Sequence, residues 1–227
     1  GISVNTFDLK NQTFPIIFGG DAPNTTEGYQ GASSRRCLQD SLDMNLVKGK
    51  IVLCDGLATV TEAIAPVAFA FYAGAVGVIL RGRRRVAGDD AIDVPSPLPA
   101  SYLNVKDGNK VYIYINSTRN PIASISRSEE RTKRLAPYIA GFSSRGPNSF
   151  TPNILKPDLA APGVAILAAW SSIAPISIIV RDGRVGLYNI ISGTSMSCPH
   201  ASGAAAYVKS FNPTWSPAAI KSALMTS

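Results

Sequence analysis

The chain has 227 residues, of which 45% are hydrophobic and only 16% charged, against roughly 25% charged in an average soluble domain. That balance excludes a disordered chain, which shows the opposite bias, and the length allows one large domain or two modest ones with a real core. The formal charge of +7 raises nucleic acid as a partner. However, the basic residues cluster only at Arg81–Arg85 and Arg127–Arg134, neither run is interleaved with stacking aromatics, and the second carries Glu129 and Glu130. Both read as solvated loops, so no nucleic-acid partner is expected and such binding is the weakest reading. The 19 Gly and 16 Pro follow no triplet or fixed period, which excludes collagen and repeat arrays.

In chain order, Gly1–Phe7 reads as a short strand followed by a polar loop, and Lys48–Asp55 as a turn feeding a buried strand. The uncharged run Ala63–Leu80 followed by four arginines resembles a membrane span with a positive flank. Pro66, Gly74 and Gly77 interrupt it, and its second half is β-branched. A helix over Thr59–Ala73, stopped by Gly74, and a buried strand over Val76–Leu80 account for it. The uncharged run Leu159–Val180 holds Pro162, Gly163 and Pro175 and would span badly. No membrane partner is expected. Gly88–Pro99 is loop. Val105–Ile115 fits a helix or, through its alternation, a strand, and Pro121–Ser126 is extended. After a charged linker at Arg127–Arg134 the composition changes. Tyr138–Ser144 reads as a strand, Pro157–Gly163 as a strand-to-turn unit, and Leu187–Ile191 as a third strand. Ser195–Lys209 reads as a helix stopped by Asn212-Pro213. A last helix runs from Ser216-Pro217, a Ser cap with Pro in the first position, to Met225.

Three sequons, at Asn11, Asn24 and Asn116, point outside the cytosol as glycosylation acceptors; Asn212-Pro-Thr is excluded by its proline. Cys37 and Cys54 enclose a small loop and form the expected disulfide in an oxidising compartment, leaving Cys198 as an expected buried free thiol. With one His in the chain no Cys–His cluster has zinc spacing, and no metal or cofactor is expected.

The chemistry concentrates in Asn189–Gly203. A buried strand ends at Ser192, Gly193 turns, and Ser195 stands at the start of a helix. There a hydroxyl is exposed beside backbone N–H groups and the positive end of the helix dipole, which suits a developing oxyanion. The plain alternative is that Ser195 merely caps the helix. His200 follows Ser195 by five residues, roughly 500° of rotation at about 100° per residue, or some 140° around the helix. It therefore faces away from the hydroxyl and is a poor candidate for its base.

Gly193-Thr-Ser-Met-Ser-Cys-Pro-His200 resembles the nucleophile block of subtilisin-like serine proteases. Phe142–Asn148, Lys156–Gly163 and Asn212–Lys221 stand in the family's order around it. Together they resemble the plant subtilases, the cucumisin-like group in particular. Gly49–Cys54 and Gly74–Ile79 are similar to the protease-associated domain inserted in that group's catalytic domain. The resemblance implies an α/β fold. Residues 1–14 would be a strand and linker of the catalytic domain. Residues 15–126 would be the protease-associated domain, mixed α+β and β-rich. Residues 127–227 would be the C-terminal portion of a doubly wound parallel-sheet catalytic domain. It implies a secreted endopeptidase of the plant apoplast or cell wall, acting on protein or peptide substrates through a Ser-His-Asp triad and an acyl-enzyme. Ser195 matches the nucleophile, Thr194 and the Ser195 amide the oxyanion environment, Met196 the neighbouring Met, and His200 a structural His.

The family's Asp-[Ser/Thr]-Gly, Gly-His-Gly-Thr-His and Ser-Ala-Gly-Asn blocks are absent from these 227 residues, as are most residues that would set cleavage preference. The chain is therefore expected to be an internal piece, nearly inert alone, whose partner is the N-terminal catalytic segment of the same polypeptide. Self-association through the protease-associated domain is a further expected contact. The alternative reading is a non-catalytic protease-associated interaction module with a catalytic remnant.

Overall fold

The computed structural model describes residues 5–7, 9, 12–56, 60–82, 95–129 and 137–226. Strand β2 (Ile51–Asp55) is buried on both faces, as its unbroken Ile-Val-Leu-Cys run requires of a parallel-sheet strand. It pairs in parallel with β1 (Phe14–Phe18) and with β3 (Gly77–Gly82), which pairs in parallel with β4 (Ala100–Asn104). The two-residue β5 (Ile122–Ala123) closes the other edge antiparallel to β1, giving the order β4-β3-β2-β1-β5.

Side-chain alternation divides the core in two. Val52, Cys54, Val78 and Leu80 pack with Val67 and Ala70 of helix α3 (Val60–Tyr72). The short helices α1 (Gly31–Ser34) and α2 (Met44–Val47), which connect β1 to β2, lie on this same side through Cys37, Leu42 and Val47. Ile51, Leu53 and Ile79 face the opposite way, onto Ile16, Phe18 and Ile115 of helix α4 (Val105–Ser117). Each fully buried aliphatic side chain contributes roughly 1.5–3 kcal/mol. Val105–Ile115, open between helix and strand by pattern alone, is helical because Asn104 caps it. Asn104 Oδ1 accepts from the Asp107 amide at 2.8 Å and Asn104 Nδ2 donates to the Asp107 carboxylate at 2.9 Å. Helix α3 ends as expected at Gly74: the Gly74 amide donates to Phe71 O and the Ala75 amide to Ala70 O, both at 3.0 Å. The candidate span thus resolves into a helix and a strand, and no helix among the described residues is long and apolar enough to cross a membrane.

Arg81 departs from the solvated loop expected for it. It belongs to β3, is ion-paired with Asp55 and lies over the rings of Tyr112 (4.8 Å) and Phe18 (5.6 Å). A guanidinium neutralised by a carboxylate and stacked on aromatics can be buried at a strand end. Arg83–Arg85 lie outside the described residues; Arg127 is exposed.

The second half carries an antiparallel ribbon, β6 (Ile166–Ala169) with β7 (Tyr188–Ile191), and two helices, α5 (Thr194–Phe211) and α6 (Pro217–Thr226). Both helices and β7 lie where the sequence places them. Tyr138–Ser144 and Pro157–Gly163 are not strands, because no strand among the described residues pairs with them. Asn5–Phe7 is likewise outside any strand, and residues 1–4 of that expected element are outside the described residues. Helix α5 buries none of its residues, and Phe150, Ile173 and Val180 are more than 90% exposed. Cys198, expected to be buried, is consequently exposed: its small-residue surroundings have no apolar layer packed over them.

Between β6 and β7 the chain forms a hairpin tied by a Pro175–Val185 bridge. Its Asp182 carboxylate is buried and takes both arms of Arg184, at 2.7 Å each, and the Ser177 hydroxyl at 2.6 Å.

Cys37 and Cys54 are joined in a disulfide across 17 residues. A loop of that length is worth about 3 kcal/mol of stabilisation, so the Cys37→Ala/Cys54→Ala double variant should lose about that much in urea unfolding, and non-reducing peptide mapping should find the Cys37–Cys54 crosslink with Cys198 free. Acid supplies a second check. The Arg184 guanidinium, with help from Ser177, holds the Asp182 carboxyl below the usual range despite burial. A lowered folded-state pKa stabilises above the ordinary aspartate range and ceases to do so as pH falls through the folded value. Asp182→Asn should therefore be less stable than the parent near neutrality, and the difference should shrink below about pH 4, as read by denaturant midpoints across pH.

Candidate active site

The strand-to-helix elbow after β7 is built by backbone. Gly193 is the N-cap of α5; its carbonyl accepts from the Met196 amide at 3.1 Å and the Ser197 amide at 3.4 Å, with no side-chain cap. Ser195 is therefore the second residue of the helix and has no capping duty. Its side chain is exposed. The amides of Thr194 and Ser195 precede the first helical hydrogen bond and so lack an acceptor within the helix. A Cβ placed on Gly193 would lie 3.7 Å from Met196 Sδ and 3.8 Å from the Ser195 amide nitrogen.

The segment Pro162–Ala165 holds this elbow from outside. The Gly193 amide donates to Gly163 O at 2.8 Å and the Ala165 amide donates to Ser192 Oγ at 2.7 Å. Ala165 sits in the left-handed region at φ 52°, a strained position for a residue with a Cβ. Gly163 is glycine because any side chain would run into Ser197 Oγ and the Gly193 carbonyl. These supporting residues, Gly163, Ala165 and Ser192, were not singled out as site residues by sequence reasoning; the Pro162-Gly163 turn was the available signal.

The other resembling blocks join the same assembly. Gly146, at φ 70°, packs against the Lys156 carbonyl and Pro157. Asp158 bridges Lys156 and Lys221 of α6, and these two ammonium groups lower its carboxyl pKa, Lys156 the more. His200 is exposed and turns back along its own helix: its Nδ1 stands 2.8 Å from Met196 O. That carbonyl engages the ring nitrogen from one turn back.

Of the sequon asparagines, Asn116 is exposed in the last turn of α4, and Asn24 is half-buried with its Nδ2 donating to Asp40 O at 2.9 Å. Asn11 lies outside the described residues.

Ser195 thus stands at a strand-to-helix elbow held by the Pro162-Gly163 turn. Residues 77–227 match the model of the subtilase family, Peptidase S8, which is well over half of the chain. The chain belongs to the subtilase family. It is similar over its full length to two Arabidopsis thaliana proteins, subtilisin-like protease SBT4.3 at 47% identity and subtilisin-like protease SBT4.4 at 44%. Over 96% of its length it is similar to subtilisin-like protease SBT1.7 of the same plant, at 46% identity. The chain spans 29% of the length of the first two and 28% of the third.

The grip on the elbow is testable without activity. Gly163→Ala places a methyl 2.8 Å from the Gly193 carbonyl oxygen. Overpacking of this kind costs about 1–3 kcal/mol. The denaturant midpoint should fall accordingly, with an unchanged slope.

Proposed function

We propose that the whole protein is a secreted serine-type endopeptidase and that Ser195 is its nucleophile. The observation that carries this is the elbow: an exposed hydroxyl free of capping duty, beside two backbone amides with no helical acceptor. In this reading Ser195 Oγ attacks the carbonyl carbon of a peptide bond. Its proton passes to a His held by an Asp, both outside residues 1–227, and the leaving amine takes that proton. The resulting acyl-enzyme is then opened by water. The amides of Thr194 and Ser195 supply part of the oxyanion site, which is usually a large part of the acceleration. Membership in the subtilase family supports the triad. The exposed apolar residues of the second half support the view that further polypeptide packs over α5.

The same reading takes residues 15–126 as an inserted protease-associated domain. The unit has its own two-faced core, and the chain enters and leaves it side by side. Asn5, itself buried, exchanges hydrogen bonds with Ser128: Asn5 N donates to Ser128 Oγ at 2.8 Å and Ser128 N to Asn5 O at 2.9 Å. Adjacent entry and exit are what an inserted domain needs. The disulfide and the exposed Asn116 fit an extracellular, glycosylated protein, and self-association through this unit is part of the reading.

A fluorophosphonate probe tests it. The full-length protein should be labelled at Ser195 and Ser195→Ala should not, with turnover falling about 10⁶-fold, the loss subtilisin itself suffers on removal of its nucleophile. The 227-residue chain alone should label slowly or not at all. Absence of labelling in the full-length protein would favour the non-catalytic interaction module. Glycan removal from plant-expressed protein should raise gel mobility, through Asn116 and one or both of Asn11 and Asn24.

A further inference from the structure

The Pro175–Val185 hairpin belongs to the second half by sequence but is anchored in the first. At its tip Ile179 is 3% exposed and sits in the same core cluster as Leu42, Val67 and Leu98. Arg181 lies over the ring of Tyr72 at 4.7 Å and Arg184 over that of Phe7 at 5.3 Å. Arg184 Nη2, already paired with Asp182, also donates to Ser96 O at 2.6 Å, a contact across 88 residues.

At its base the hairpin is fixed to the ribbon that leads to Ser195. Trp170 Nε1, just after β6, donates to Pro175 O at 3.1 Å, and its amide donates to Leu187 O at 2.8 Å. Asn189, buried within β7, donates from Nδ2 to Ile176 O at 2.9 Å. The hairpin is internally stiff. Ile176 N donates to Arg184 O at 3.0 Å, Asp182 N to Ile179 O at 2.8 Å, and the Asp182 carboxylate organises Ser177 and both arms of Arg184.

We propose that this hairpin is a clamp that locks the 15–126 unit to strand β7, so that the unit's seating positions the elbow carrying Ser195. Ile179 is the anchor. Asp182 and Arg184 are positioning residues: the carboxylate aims the guanidinium at the Ser96 carbonyl, and neither touches the reacting atoms. A bidentate pair with a buried carboxylate and a third bond to another element holds one geometry, because removing Arg184 leaves the Asp182 carboxylate, 2% exposed, without its cation. The clamp stands on these contacts alone; its bearing on catalysis rests on the nucleophile reading above.

Hydrogen–deuterium exchange of the full-length protein tests the clamp. In Ile179→Ser and in Arg184→Gln, exchange should rise about fivefold or more in both 95–104 and 188–192, a shift of the size that local opening produces. The 51–55 core strand should keep its protection. A rise confined to one of the two segments, no rise in either, or a rise that includes 51–55 in both variants overturns the clamp. If only Ile179→Ser unfolds the core, Arg184→Gln decides. Fluorophosphonate labelling of Ser195 should slow in the clamp variants; labelling at the parent rate despite raised exchange overturns the coupling to Ser195. Failure of the parent itself to label counts against the nucleophile, while the exchange result still judges the clamp.

Discussion

Burial of β2 on both faces is the constraint from which the rest follows. Ile51 and Leu53 need one apolar layer, and Val52 and Cys54 need another. Two helices must therefore flank the sheet, and a one-residue slip would exchange every contact. The register is reinforced at the strand ends. Asp55 follows the apolar run and meets Arg81 across the pairing and Arg35 from the α1 side. The disulfide then fixes the β1–β2 connection to the centre of the sheet. The core of the first half is shared with the hairpin, whose Ile179 is buried among Leu42, Val67 and Leu98.

The second half obeys a different logic. Its elements are held by backbone contacts at glycine and by ion pairs at the surface, not by a buried apolar layer. Gly163 against the elbow, Gly146 against Lys156, and Asp158 between two lysines fix positions without supplying much stability, since exposed ion pairs contribute little. Precision at the elbow thus comes from close backbone approach. Its stability depends on what lies beyond it, on one side the hairpin and on the other the polypeptide that the exposed face of α5 awaits in the proposed whole protein.

Legibility in the sequence follows the same division. Uninterrupted apolar runs revealed β2 and β3, and the Ser216-Pro217 start revealed α6. The strand–Gly–helix pattern of 189–203 revealed the elbow, though the pattern alone left Ser195 open to a capping role that the structure gives to Gly193. Strand β1 was hidden because Pro15 argues against a strand; it is tolerated where the partner is the short edge strand β5. Strand β4 was hidden behind the prolines of 95–99, and β6 inside an uncharged run with no alternation. Tyr138–Ser144 failed in the opposite sense. Strand propensity is a preference for a pleated, half-buried surface, and no such surface lies beside it among the described residues. Cys198 failed for the same reason. Burial is a property of two surfaces, and one chain's composition reports only one of them.

The order of the sheet carries a consequence for how the molecule forms. Strands β1 to β4 are neighbours in space in the order in which they occur in the chain. Each pairing therefore closes a short stretch of polypeptide, the kind of contact that is made quickly. Local closure of this kind favours rapid pairing of these four strands. The hairpin is anchored over far longer separations, from Arg184 to Ser96 and from Arg184 to Phe7, the kind of contact that closes slowly. Tyr207 and Phe211 of α5 are about 70% exposed, and an apolar face of that kind is prone to intermolecular contact. The sequential winding of the first half thus sets it apart from the hairpin, whose contacts span far more of the chain.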